Sequence, residues 1–142
     1  LSPNVVAPKS VAVADVRAPT AAAADRVEAA IRALQPVTPG TRLAVRGGFG
    51  RPPMEPTPAS RRLHRRALDA AAELDLRLDA ATAGGGSDGN TTSSLAPTLD
   101  GLGAVGEGAH APNEQVRLDA MVERAALLAL LLAEPPLAEA HA

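Results

Sequence analysis

The sequence predicts an α/β fold, and three observations lead there. Short β-branched or alternating runs take turns with longer stretches whose apolar residues recur at helical spacing. Threonine or aspartate stands just ahead of each long helical stretch, as a helix N-cap should. Glycine- and proline-rich punctuation separates the segments.

In chain order, Val11-Ala12-Val13-Ala14-Asp15-Val16-Arg17 reads as a strand closed by Pro19. Thr20 then caps an alanine-rich helix with Val27, Ile31 and Leu34 on one face, stopped at Gln35-Pro36. After the Pro39-Gly40 turn, Thr41-Arg42-Leu43-Ala44-Val45-Arg46 alternates like a half-buried strand. The stretch from Gly47 to Pro56 is the expected domain boundary, placing one domain at 1–55 and a second at 56–142. Thr57 followed by Pro58 opens a second helix to about Leu74, with Leu63, Ala67, Ala70, Ala71 and Leu74 inward and Arg61, Arg62, Arg65 and Arg66 mostly outward. Leu76 to Ala81 reads as a strand that delivers the chain into Gly84-Gly85-Gly86-Ser87-Asp88-Gly89-Asn90. A short helix, an extended segment from Pro97 to Leu102 and a glycine-rich loop from Ala104 to His110 follow. Asp119 is expected to cap a last helix through Leu132, ended by Pro135-Pro136.

Composition removes several function classes. Of 142 residues, 14 are Lys or Arg and 16 Asp or Glu, a net charge of −2, so no broad electrostatic attraction for nucleic acid exists. There is no cysteine, which excludes disulfide scaffolds and thiolate metal sites. With one Phe and no Trp or Tyr, base-stacking platforms are not expected. The longest apolar run, Ala125 to Ala133, is far short of the roughly 20 residues a membrane-spanning helix needs. No membrane partner is expected, and the cytoplasm is the expected compartment. Much of the apolar content is alanine, which buries little area, so a self-sufficient core is in doubt. The start at Leu1, without Met, reads as that of a cut or processed chain.

A few residues could carry chemistry. Glycines between a strand and a helix expose N–H groups that bind anions, although the loop from Gly84 matches neither a dinucleotide fingerprint nor a P-loop and on its residues alone reads first as a tight turn. Arg51, between Gly50 and Pro52, is either a pre-set donor fork for a carboxylate or a solvated hinge arginine. Asn4 by itself is a capping amide. His110 is either a solvated loop imidazole or a metal ligand oriented by acidic neighbours. One histidine cannot hold a catalytic metal, for which three or more protein ligands are usual, and His64 and His141 are not expected to help.

Three stretches in this order carry a resemblance: Asn4-Val5-Val6-Ala7-Pro8 with Ala14-Asp15-Val16-Arg17; Gly50-Arg51-Pro52-Pro53-Met54-Glu55; and Gly84 to Asn90 with Pro97 to Gly103 and Gly108-Ala109-His110. Together they resemble the C-terminal portion of glutamate carboxypeptidase-like zinc metallopeptidases, relatives of acetylornithine and succinyl-diaminopimelate deacylases and aminoacylases. The resemblance implies the C-terminal half of a di-zinc exopeptidase-type catalytic domain at 56–142, preceded at 1–55 by the second half of an α+β lid that dimerises. It implies His110 as a metal ligand and Asn4, Arg51, Gly86 and Ser87 as binders of the substrate, a small peptide or N-acyl amino acid. The implied cofactor is zinc, two ions in the complete enzyme, with cobalt or manganese as substitutes. The other ligands and the glutamate general base would lie upstream, in a missing N-terminal half or a companion chain. The isolated chain is therefore expected to be inactive. Two other readings stand beside this one: a non-catalytic carboxylate- or phosphate-binding module, and a structural subunit pairing with a separate N-terminal chain. The likeness is imperfect, since Thr91-Thr92-Ser93-Ser94-Leu95-Ala96 departs from the family's usual sequence and Val6-Ala7-Pro8 interrupts its Val-Val-Pro.

Overall fold

A computed structural model describes residues 4–137; Leu1, Ser2, Pro3 and His141 therefore lie outside the described residues. The chain divides into two compact units between Phe49 and Gly50.

In the first unit one helix, α1 (Ala21–Arg32), is the regular element. It begins where Thr20, in extended backbone, accepts a hydrogen bond at its hydroxyl from the Ala23 N–H at 3.1 Å, removing one of the unpaired donors of the first turn. Arg32 in the last turn pairs with Glu28 at 2.6 Å and donates to the Gly47 carbonyl at 2.9 Å, tying the end of the unit back to the helix. The two segments read from sequence as strands, 11–17 and 41–46, carry no ladder among the described residues. Val11 is 75% and Val13 95% exposed, so this part of the β-branched run has no neighbouring surface to pack on. A strand needs a partner for its backbone groups, and composition alone does not provide one.

The second unit is built on α2 (Pro58–Glu73) and α4 (Leu118–Ala133), with α3 (Gly89–Thr92), β1 (Gly106–Glu107) and β2 (Gln115–Val116) between them. The start of α2 is the expected one: Thr57 Oγ1 accepts from the Ser60 N–H at 3.0 Å, Ser60 Oγ accepts from the Thr57 N–H at 2.8 Å, and Pro58 occupies the first helical position. The helix stops without glycine. Asp75 takes a positive φ of 55°, and the Leu76 N–H reaches back to the Ala71 carbonyl at 2.9 Å.

Against α2 lies α4, around Ala70, Ala71 and Leu127, with Leu74, Leu76, Leu78, Leu102, Leu130 and Leu131 closing the cluster. Five of the six buried apolar side chains among the described residues are alanines, so Leu127 carries the largest share of the burial. Leu76 and Leu78 face this cluster while Arg77 and Asp79 are exposed, which is the alternation expected of a strand. Segment 76–81 nonetheless has no ladder, and the sole sheet among the described residues is the antiparallel β1–β2 pair, with Gly106 opposite Val116 and Glu107 opposite Gln115. The expectation for Asp119 is corrected. The helix starts two residues earlier, with Arg117 at the cap, and Asp119 sits inside the first turn.

Candidate functional site

The glycine loop is shaped by hydrogen bonds around Ser87, Asn90 and Asp100. The Ser87 hydroxyl accepts from the Gly89 N–H at 3.0 Å and donates to Asp100 Oδ2, while Asp100 Oδ1 accepts from the Gly101 N–H at 2.8 Å. Ser87 thus spends its hydroxyl on the loop itself. Gly89 is closely packed: a Cβ there would stand 3.0 Å from both the Asp100 carboxylate and the Ser87 hydroxyl, so one of them would have to shift.

Arg51 and Gly86 meet. A Cβ on Gly86 would lie 3.6 Å from Arg51 Nη1 and 3.7 Å from its Cδ, so the guanidinium passes directly over the third glycine of the loop. Asp88, whose side chain is fully exposed, approaches Arg51 Nη2 at 4.0 Å. At that distance in water the pairing is weak, which leaves the planar fork accessible to another carboxylate. What brings the two segments together is Asn90, whose amide nitrogen donates to the Pro52 carbonyl at 2.9 Å and whose amide oxygen accepts from the Ser87 N–H at 2.8 Å. Sequence reasoning read Asn90 as part of a motif but gave it no role. Its position three residues past Ser87, where an Asn can fold back on the chain, was the available signal.

His110 sits elsewhere in the same unit, on the loop joining β1 and β2, and is exposed. The loop was expected from its glycines; the two-residue strands that frame it were not. Close backbone approach explains the glycines. A Cβ on Gly106 would fall 2.1 Å from the Gln115 carbonyl oxygen, and Gly108 has a positive φ of 71°. His110 itself has a φ of 65°, and the turn is closed by the Ala111 N–H donating to the Gly108 carbonyl at 2.8 Å. The hairpin runs into α4 through the Arg117 N–H, which donates to the Val105 carbonyl at 2.9 Å. Arg117 Nη2 also bonds Asp119 at 2.6 Å, and this hydrogen bond holds the Asp119 carboxyl below, and the guanidinium above, their ordinary values.

Among the described residues no group of three or more His, Cys, Asp or Glu side chains could hold a metal ion. His110 offers one exposed imidazole, which fits a contributed ligand and not a site on its own. Asn4 belongs to the first unit and is exposed. A hollow of about 260 Å³ in the second unit, lined by Met54, Thr57, Ser60, Leu95, Pro97 and Thr98, includes none of the site residues expected from sequence. No helix among the described residues is long and apolar enough to cross a membrane.

These features are those of a small structure of helices and one short sheet. A sequence model of peptidase family M20/M25/M40 matches residues 6–134, and the chain belongs to that family. The matched span includes Arg51, Gly86, Ser87 and His110 but starts after Asn4. No curated protein and no solved structure matches the chain significantly. Family membership points to a hydrolase of the metallopeptidase kind, a group usually dependent on zinc.

Proposed function

We propose that the chain is the carboxylate-binding, C-terminal portion of a glutamate carboxypeptidase-like enzyme that hydrolyses peptide or N-acyl amino acid amide bonds. The observation that carries this reading is the Arg51 guanidinium lying over Gly86, within a chain matched to the M20 family along most of its length. A free carboxylate at the end of a peptide needs a planar donor fork and small neighbours that let it approach. Arg51 supplies the fork and Gly86 the open side, with Ser87 shaping the loop.

In the same reading, residues 1–55 belong to a lid that dimerises and 56–142 close the catalytic domain of a cytoplasmic enzyme. His110 gives one ligand to zinc, and the remaining ligands and the general base come from an upstream half or companion chain. Zinc, when bound, supplies Lewis-acid polarisation of the scissile carbonyl. This chain's own part is to orient the substrate by its carboxylate, so that the amide bond is presented in one geometry.

Two measurements test the proposal. Titrating the 142-residue chain with hippurate, an N-acyl amino acid, should shift the Arg51 Nε–H and Gly86 N–H resonances, and Arg51→Ala should abolish binding. Shifts scattered over the surface and insensitive to Arg51→Ala would sink it. The chain alone, with zinc added, should not turn over N-acyl or peptidyl glutamates; robust chelator-sensitive turnover would show that the catalytic groups are already present here.

A further inference from the structure

From the hydrogen bonds of its side chain we infer that Asn90 is the positioning residue of the carboxylate clamp, holding the glycine loop and the Arg51 segment in one fixed relation. The inference rests on the reading of Arg51 and Gly86 as that clamp. The effect of Asn90 runs through its side-chain hydrogen bonds to two backbone groups.

The geometry is specific to a side-chain amide. Asn90 Oδ1 accepts from the Ser87 N–H at 2.8 Å, which fixes the plane of the Gly86–Ser87 peptide. Asn90 Nδ2 donates to the Pro52 carbonyl at 2.9 Å, 38 residues earlier in the chain and immediately after Arg51. Arg51 precedes a proline, so its backbone is already confined to extended conformations, and pinning Pro52 removes most of the freedom left to the base of the guanidinium's stem. One half-buried group therefore orients both halves of the clamp. The role needs an acceptor and a donor on the same short side chain, a requirement that Asn meets and that Asp meets only when protonated. Charged groups stand on the clamp side of this bridge: Arg51 over Gly86, Asp88 at 4.0 Å from Arg51, and Asp100 on the Ser87 hydroxyl.

Asn90→Ala and Asn90→Asp in the 142-residue chain provide the test, with hippurate as probe and the Arg51 Nε–H resonance as readout. Asn90→Ala should exchange its Ser87 N–H faster than the wild-type chain and bind hippurate about five- to tenfold more weakly. At neutral pH, Asn90→Asp should bind as weakly, because a carboxylate oxygen then faces the Pro52 carbonyl. As the pH is lowered through the carboxylate range, near about pH 4, the protonated Asp regains the donor and its affinity should rise relative to Asn90→Ala measured at the same pH. That comparison cancels protonation of hippurate itself. A purely structural staple would alter stability in both variants without this pH-dependent difference between them. Wild-type affinity in both variants would overturn the inference while leaving the clamp intact. Absence of any Arg51 response to hippurate in the wild-type chain would instead overturn the clamp, and this inference with it.

Discussion

Arg51 and Gly86 are in van der Waals register: the guanidinium nitrogen Nη1 stands 3.6 Å from where a Cβ on Gly86 would be. A methyl group is therefore accommodated, yet it covers the edge of the guanidinium that a carboxylate would approach. Gly86→Ala should leave stability within about 0.5 kcal/mol of wild type, as surface substitutions usually do, and weaken hippurate binding, with Gly86→Val weakening it further. Calorimetric titration of the three proteins measures the series. Equal affinities would separate the loop from the anion site.

Leu127 is the one large side chain fully buried among the described residues, and it fills the seam between α2 and α4. Leu127→Ala should cost about 2–5 kcal/mol, because the alanines opposite it cannot close the gap. Urea unfolding should show a lower midpoint with an unchanged slope. A loss below about 1 kcal/mol would mean that the seam is not what holds the unit together.

The Arg117–Asp119 pair makes a small pH-dependent contribution at the start of α4. Asp119's folded-state carboxyl lies below its ordinary value, chiefly through the hydrogen bond from Arg117. The sign follows from that direction: the stabilisation is present above the unfolded carboxylate value of about 3.9 and is lost as pH falls through the depressed folded value. Thermal unfolding of wild type and Asp119→Asn should therefore differ at neutral pH and converge in acid. A difference undiminished at about pH 2 would contradict the ionic origin of the effect.

Gly106→Ala should open the hairpin that carries His110. The added carbon would sit 2.1 Å from the Gln115 carbonyl oxygen, a clash that only separation of β1 and β2 relieves. Cross-strand contacts between Gly106 and Val116 should disappear from NMR spectra and the His110 ring signals should move, while Leu127 methyl signals stay in place. Retained cross-strand contacts would show that the pair tolerates a side chain here.

Local signals carried the helices. Thr20 and Thr57-Pro58 mark the starts of α1 and α2 because a cap is a contact between near neighbours, readable within four residues. The start of α4 lies two residues before the one its sequence suggests, because Asp119, a good capping residue, instead pairs with Arg117 from within the helix. Asp75 ends α2 in a conformation where glycine would have been the legible sign. Strands were less legible, since Val11 to Val16 and Leu76 to Leu78 have the right residue types but a ladder depends on a second segment elsewhere. In the site, the resemblance names Arg51 and Gly86 separately and does not say that they meet, and the bridge by Asn90 spans 38 residues and could not be read from either segment separately.

The backbone at His110 would suit glycine better than any residue with a Cβ, and glycine two positions earlier already uses the same conformation. Holding an imidazole there forfeits roughly 1–2 kcal/mol that an unbranched backbone would keep. A chain shaped for durability alone would place glycine at the tip. His110→Gly should accordingly yield a sturdier hairpin that has lost its ring, with slower hydrogen exchange at the Ala111 N–H that closes the turn.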